Sequence, residues 1–207
     1  MLVNPQTAKQ SCLIKNVDIS PFEFVCAFYS VVLGVAVAQL MTSVGRLIEV
    51  RDQVRTYWVL SLWVVIVLLV DVNSWWAMWE LRNAKSWSVF SFLLLVGLVA
   101  SIYLVTVLLF PRVPESGGQI DLDAHYYKNR RIFFLANAAG WTLGVLCNLT
   151  FLPMRSWLNP AVIIPMLVVF LSILAGITGN RRYHAAFTIF ALATMTLALL
   201  GDFTRIE

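Results

Sequence analysis

The chain has 207 residues, of which 60% are hydrophobic and only 13% charged, with a net charge of +4 and a mean hydropathy of +0.80. Soluble domains carry about 25% charged residues, so this composition excludes an ordinary soluble enzyme or a nucleic-acid-binding domain and points to a membrane protein. The basic excess needs no nucleic-acid partner, because lysines and arginines beside anionic lipid headgroups account for it.

A helix needs about 20 apolar residues to cross roughly 30 Å of hydrocarbon. Six blocks qualify: Pro21–Ile48, Thr56–Leu81, Ser88–Phe110, Ile132–Pro153, Pro160–Thr178 and His184–Leu200. They predict an all-α membrane protein, a single bundle of six transmembrane helices over residues 21–203 behind a polar tail at 1–20. Barrel strands would alternate apolar and polar residues. "FLLLVGLVASIYLVTVLLF" is apolar on every face, and helices satisfy their own backbone in lipid.

The tail is polar and longer than an ordinary n-region, and "AVA" at 36–38 lies inside a continuing helix, so no cleaved leader is expected. Cys12, Cys26 and Cys147 form no CxxC pair and predict no disulfide framework. Span one carries Ser30, Gly34, Ala38 and Thr42 every four residues, a small-residue face suited to close helix packing. Gln39, Ser43 and Arg46 form a second, polar stripe. Glu23 near the start of this span and Glu80 after the next are interfacial carboxylates that would line an acidic vestibule if a pore formed.

Span two, "VVIVLLVDVNSWWAMWE", places Asp71 inside a lipid-soluble run. Insertion scales put Asp at about +3 kcal/mol at a helix centre. Contact with a hydrated cavity, a retained proton, or hydrogen bonds to Asn148 and Ser30 would accommodate it. The first two readings make it a proton- or cation-handling group. The third makes it a packing clamp, worth about 0.6 kcal/mol on average. Trp58, Trp79, Trp87 and Trp157 fall where an aromatic belt belongs, whereas Trp75 and Trp76 lie deeper.

The loop "PRVPESGGQIDLDAHYYKNRR" (111–131) starts with structure breakers. Asp121 is then a possible N-cap and Asp123 suits a first turn, so the segment reads as a surface helix that turns into span four. His125 with Asp121 or Asp123 makes a poor metal site, because no ligand pair stands at suitable spacing. Asn148-Leu-Thr150 matches a glycosylation sequon but falls within span four. "YYKNRRIFF" (126–134) echoes "GNRRYHAAF" (179–187), a faint sign of an inverted repeat.

At 1.5 Å per residue, Asp71, Ser30 and Asn148 share a depth of roughly 20 Å from the end of the bundle carrying the first, third and fifth loops. Thr194 and Thr196 are somewhat shallower. Gln39 and Asn137 share a level at roughly 10 Å. Arg46, Arg51, Arg55, Arg112, Lys128, Arg130, Arg131, Arg181 and Arg182 flank those loops, against Lys9, Lys15, Arg82, Lys85, Arg155 and Arg205 opposite. That asymmetry predicts odd loops in the cytoplasm and both termini outside. No selectivity-filter TVGYG, arginine ladder, HExxH or GxSxG is present, and neither an enzyme nor a cofactor is expected.

"FEFVCAFYSVVLGVAVAQLMTSVGRLI", "VRTYWVLSLWVVIVLLVDVNSWWAMWEL" and "DLDAHYYKNRRIFF" resemble an uncharacterised family of six-span bacterial integral membrane proteins. The shared features are the Gly/Gln/Arg pattern of span one, the double Trp of span two and the His-Tyr-Tyr-x-Asn-Arg-Arg approach to span four. The resemblance implies a bacterial inner membrane and no assigned activity. In layout alone the chain is similar to small bacterial six-span potassium channels related to the lysosomal one. Their Arg…Phe-Ser-Asp signature is missing here, the nearest string being "FYSVVLG". The residues together lead to the expectation of an oligomeric channel or transporter for an inorganic cation or proton. The alternative is a non-transporting structural or signalling subunit that binds itself or a partner through small-residue helix faces.

Overall fold

A computed structural model describes residues 19–84, 87–112, 118–151 and 159–203. Trp157, Cys12, the basic residues Lys9, Lys15, Lys85, Arg155 and Arg205, and most of the polar tail lie outside these residues. Six helices account for nearly all of what is described: α1 (Pro21–Glu49), α2 (Trp58–Met78), α3 (Val89–Leu109), α4 (Leu122–Phe151), α5 (Pro160–Ile177) and α6 (Arg181–Phe203). Short 3-10 turns follow α1 (Arg51–Gln53) and α2 (Trp79–Asn83).

Five of these helices are long and apolar enough to cross a membrane; the apolar stretch Val162–Ile177 of α5 is shorter. The chain is therefore a multi-pass helical membrane protein. Helix starts follow local chemistry. Ser20 and Glu23 form a reciprocal capping box, Ser20 N–H donating to Glu23 Oε2 (2.8 Å) and Glu23 N–H to Ser20 Oγ (3.2 Å). Ser88 caps α3 by accepting from Ser91 N–H at 3.1 Å. Asp121 caps α4 as expected, its Oδ1 accepting from Ala124 N–H at 3.0 Å.

The chain departs from expectation at α4. No separate surface helix precedes span four: Leu122–Phe151 is one continuous helix, about 45 Å long. No proline or glycine interrupts 122–139, so nothing bends the chain there. The overhanging turns are held at the odd-loop end instead. Residues 54–55 and 120–121 pair as two short parallel strands, Val54 opposite Ile120 and Arg55 opposite Asp121. Arg55 forms an ion pair with Asp121 (3.3 Å) and Arg181 one with Asp123 (2.6 Å). The loops after α1, α3 and α5 thus meet on one face. At the other end, Phe22, Trp87 and Phe151 bring the start of α1, the loop after α2 and the end of α4 together.

Within the bundle, α4 packs mainly against α3 and α5, α1 against α3 and α2, and α6 against α2. The two three-helix halves are packed differently, since α1 and α3 run close along their backbones while α4 and α6 meet through side chains near their starts. An inverted repeat would have made those pairs alike. Lipid offers no hydrophobic drive between helices, so close approach at small residues matters. A Cβ on Gly140 would come 2.7 Å from Ser101 Oγ, and one on Gly176 would meet Arg131 and Phe134. The core divides into an odd-loop half around Trp63, Phe133, Phe134 and Phe187 and an opposite half around Tyr29, Leu33, Met78 and Leu95.

Candidate functional site

Asp71 is 1% exposed, and among the described residues neither carboxylate oxygen has a hydrogen-bond partner. The clamp to Ser30 or Asn148 is therefore not made. Tyr29 of α1, equally buried, has its hydroxyl beside Ser74, with Asp71 and Cys147 within electrostatic reach. An uncompensated buried charge costs several kcal/mol, so a bound proton, a cation or water balances this carboxylate.

One helical turn from Asp71 the bundle opens into a cavity of about 190 Å³ between α2, α3, α4, α5 and α6. Its wall is mostly apolar, with Asn73 and Ser74 from α2, Ser101 from α3, Asn137 and Asn148 from α4 and Thr194 from α6 set into it. Every described lining residue is uncharged. Burial grades along the cavity. Trp63, Val67, Val105, Asn137 and Val168 at the odd-loop side are buried, whereas Asn73, Ala77, Gly144, Asn148 and Pro165 are half-buried or exposed. Most of the less buried lining residues thus lie in the even-loop half of the bundle.

Three of its polar side chains have already spent a donor on the protein. Asn137 Nδ2 donates to Ser172 Oγ of α5 (2.9 Å), Ser101 Oγ to the Leu98 carbonyl (2.6 Å) and Thr194 Oγ1 to the Phe190 carbonyl (2.8 Å). Each remains an acceptor through its oxygen lone pairs. Pro165, which leaves a helix short of one backbone donor, also lines the wall.

An aromatic floor closes the odd-loop side. Trp63 meets Phe133, Phe134 and Phe187 edge-on at 5.3–5.7 Å between centroids. Its Nε1 is buried beside the Tyr126 hydroxyl. His184, wholly buried, lies below. His184 Nε2 faces the Thr178 carbonyl at 3.0 Å, which can only accept, so Nε2 carries the proton and Nδ1 accepts from Tyr126 Oη at 2.9 Å. Tyr57 and Tyr127 join hydroxyls at 3.1 Å outside this layer, and burial and Tyr127 push the Tyr57 phenol above its ordinary value.

The structure distributes the sequence-derived candidates unevenly. Asn137 and Asn148 share the cavity, and Asp71 lies one turn from it. Ser30 and Gln39 belong to α1, which contributes nothing to the wall; Gln39 Nε2 donates to Ser43 Oγ of its own helix at 3.2 Å. Gln39 and Asn137 share a depth without bonding to each other. Glu23 is occupied by its capping box, and Glu80 is exposed beyond α2. His125 turns to the Leu108 carbonyl (3.3 Å) and Asn129 (3.1 Å) rather than to Asp121 or Asp123. Sequence reasoning missed Ser101, Asn73, Ser74 and the Tyr126–His184 pair. The signal for that pair was the repeated Asn-Arg-Arg beside Tyr and His at the same end of two helices.

Apolar helices around a partly polar internal cavity define a multi-pass membrane protein with a candidate solute site. Comparison with known protein families, with curated protein sequences and with solved structures gives no match.

Proposed function

We propose that the chain is a transporter or channel that passes a small cation or proton through its central cavity. The observation that carries this reading is the juxtaposition of that cavity with Asp71, a buried carboxylate lacking a hydrogen-bond partner among the described residues. All six helices cross the membrane in this reading. Helix α4 runs away from the odd-loop face and α6 starts at it, so α5 has to return between them. Its 18 residues span about 27 Å, close to the hydrocarbon thickness. The excess of basic residues around the odd loops supports a cytoplasmic position for that face, with both termini outside. The family resemblance favours a bacterial inner membrane for such a protein.

The second reading, a non-transporting subunit that assembles with itself or a partner, is favoured by α1. Gly34, Ala38 and Thr42 of its small-residue stripe are exposed, and a Cβ on Gly34 would meet nothing within 4 Å. Another helix can approach closely there, which also suits a homo-oligomeric transporter.

The test is flux through purified protein in liposomes, read with a pH-sensitive dye and a potassium-sensitive dye. Wild-type protein is expected to pass one of these ions, and Asp71→Asn to suppress the flux. Absence of any flux, or flux indifferent to Asp71→Asn, would sink the transport reading and leave the subunit reading.

A further inference from the structure

We propose that the cavity binds an organic ammonium ion, a compact amine carried as its cation. This deepens the transport reading above and rests on it. Three independent features of the wall point to the same chemistry. The first is hydrogen-bond polarity. The hydroxyl hydrogens of Ser101 and Thr194 and an amide N–H of Asn137 are spent inside the protein, so these groups offer the cavity oxygen lone pairs. Such oxygens match N–H donors, and no described lining residue offers an anion a positive charge. Asn73, nearer the mouth, can present either end of its amide.

The second feature is the aromatic and aliphatic remainder of the wall. Trp63 and Trp141 both line it, and a desolvated cation over an indole face is attracted by the ring quadrupole. An inorganic ion has no use for the apolar surface between them, whereas the hydrocarbon part of an amine does. The third is charge. Asp71 and Ser74 stand three residues apart on α2, neighbours about 5–6 Å apart at Cβ, and Ser74 is in the wall. Asp71 itself is not in the wall; it lies behind Ser74, and its charge reaches the cavity through the low-dielectric interior rather than by contact.

The test uses the full-length protein in phosphatidylcholine nanodiscs, with empty nanodiscs as control, and three probes of nearly equal shape: benzylammonium, benzyl alcohol and benzoate. Binding is read by saturation-transfer NMR and calorimetry. Benzylammonium is expected to bind on the order of tenfold more tightly than benzyl alcohol, and benzoate not at all. Asp71→Asn, which keeps the side-chain shape, should bring benzylammonium down to the level of the alcohol. Gly144→Leu should abolish binding, because the position lines the cavity and a Cβ there meets nothing within 4 Å. Both variants are checked for an unchanged size-exclusion profile and unfolding temperature. Equal binding of the alcohol, or binding unaffected by Gly144→Leu, overturns the proposal. Ion flux in liposomes without benzylammonium binding overturns it too, and leaves the transport reading standing.

Discussion

Tyr126 donates its hydroxyl hydrogen to Nδ1 of His184 across 2.9 Å, joining the first turns of α4 and α6 beneath the cavity floor. The second ring nitrogen is anchored on the Thr178 carbonyl, so the imidazole is held at both ends in one tautomer. Tyr126→Phe keeps the ring contacts with Tyr127 and Phe134 and removes the hydroxyl that donates to His184 and lies beside Trp63 Nε1. The expected loss is about 1 kcal/mol, between the cost of an unsatisfied buried acceptor and typical membrane hydrogen bonds. Reversible unfolding in mixed micelles measures it; an unchanged stability would mean that the pair holds nothing.

Asn137 and Ser172 tie α4 to α5 through a buried bond of 2.9 Å. A double-mutant cycle with Asn137→Ala and Ser172→Ala is expected to give a coupling of about 0.6 kcal/mol, and no more than about 1.7 kcal/mol. Additive single effects would show that the two side chains act separately.

Gly140→Ala places a methyl group 2.7 Å from Ser101 Oγ. The serine must leave the rotamer that bonds the Leu98 carbonyl, or α3 must move away. The expected cost is about 1–3 kcal/mol, with most of it recovered in Gly140→Ala/Ser101→Ala. A double variant as unstable as the single would place the strain elsewhere. Thermal unfolding of the three variants decides between these outcomes.

Asp121 lies outside the membrane spans, and its carboxyl is held below the ordinary value, first by the Ala124 N–H and then by Arg55. A depressed carboxylate contributes stability that is complete above its unfolded value, about 3.9, and is lost as pH falls through the folded one. Unfolding temperature measured from pH 7 down to pH 3 should therefore drop less steeply in Asp121→Asn, whose amide still caps α4 at every pH. Parallel curves for the two proteins would remove Asp121 from the acid response.

The spans were legible because uninterrupted apolar length is itself the physical requirement for crossing lipid. Predicted and observed ends agree within about one residue for α1, α3 and α5 and within about three for α2 and α6. The cap at Asp121 was legible, but the continuity of α4 was not, because "HYYKNRR" is polar and reads as a surface segment. Its partners, Arg55, Arg181 and Tyr57, come from distant loops, and composition cannot show them. Depth along each helix was readable from the rise per residue, which is why Asn137 and Asn148 could be singled out. Helix rotation was not readable, so Gln39 and Ser30 were grouped with partners that they do not meet, and Ser101 was passed over.

In the proposed transporter the solute site is the cavity inside the bundle of one chain, reached from the even-loop side. The most direct test is single-cysteine accessibility, with Cys12, Cys26 and Cys147 replaced and the protein oriented in liposomes. Cysteines at Gly144 and Ser101, which line the cavity, and at Ser30, which does not, are exposed to a charged, membrane-impermeant thiosulfonate from each side in turn. Gly144→Cys and Ser101→Cys should react from the even-loop side only, and Ser30→Cys from neither. Reaction from the odd-loop side, or faster reaction at Ser30→Cys than at Gly144→Cys, would contradict the account and move the pathway to α1.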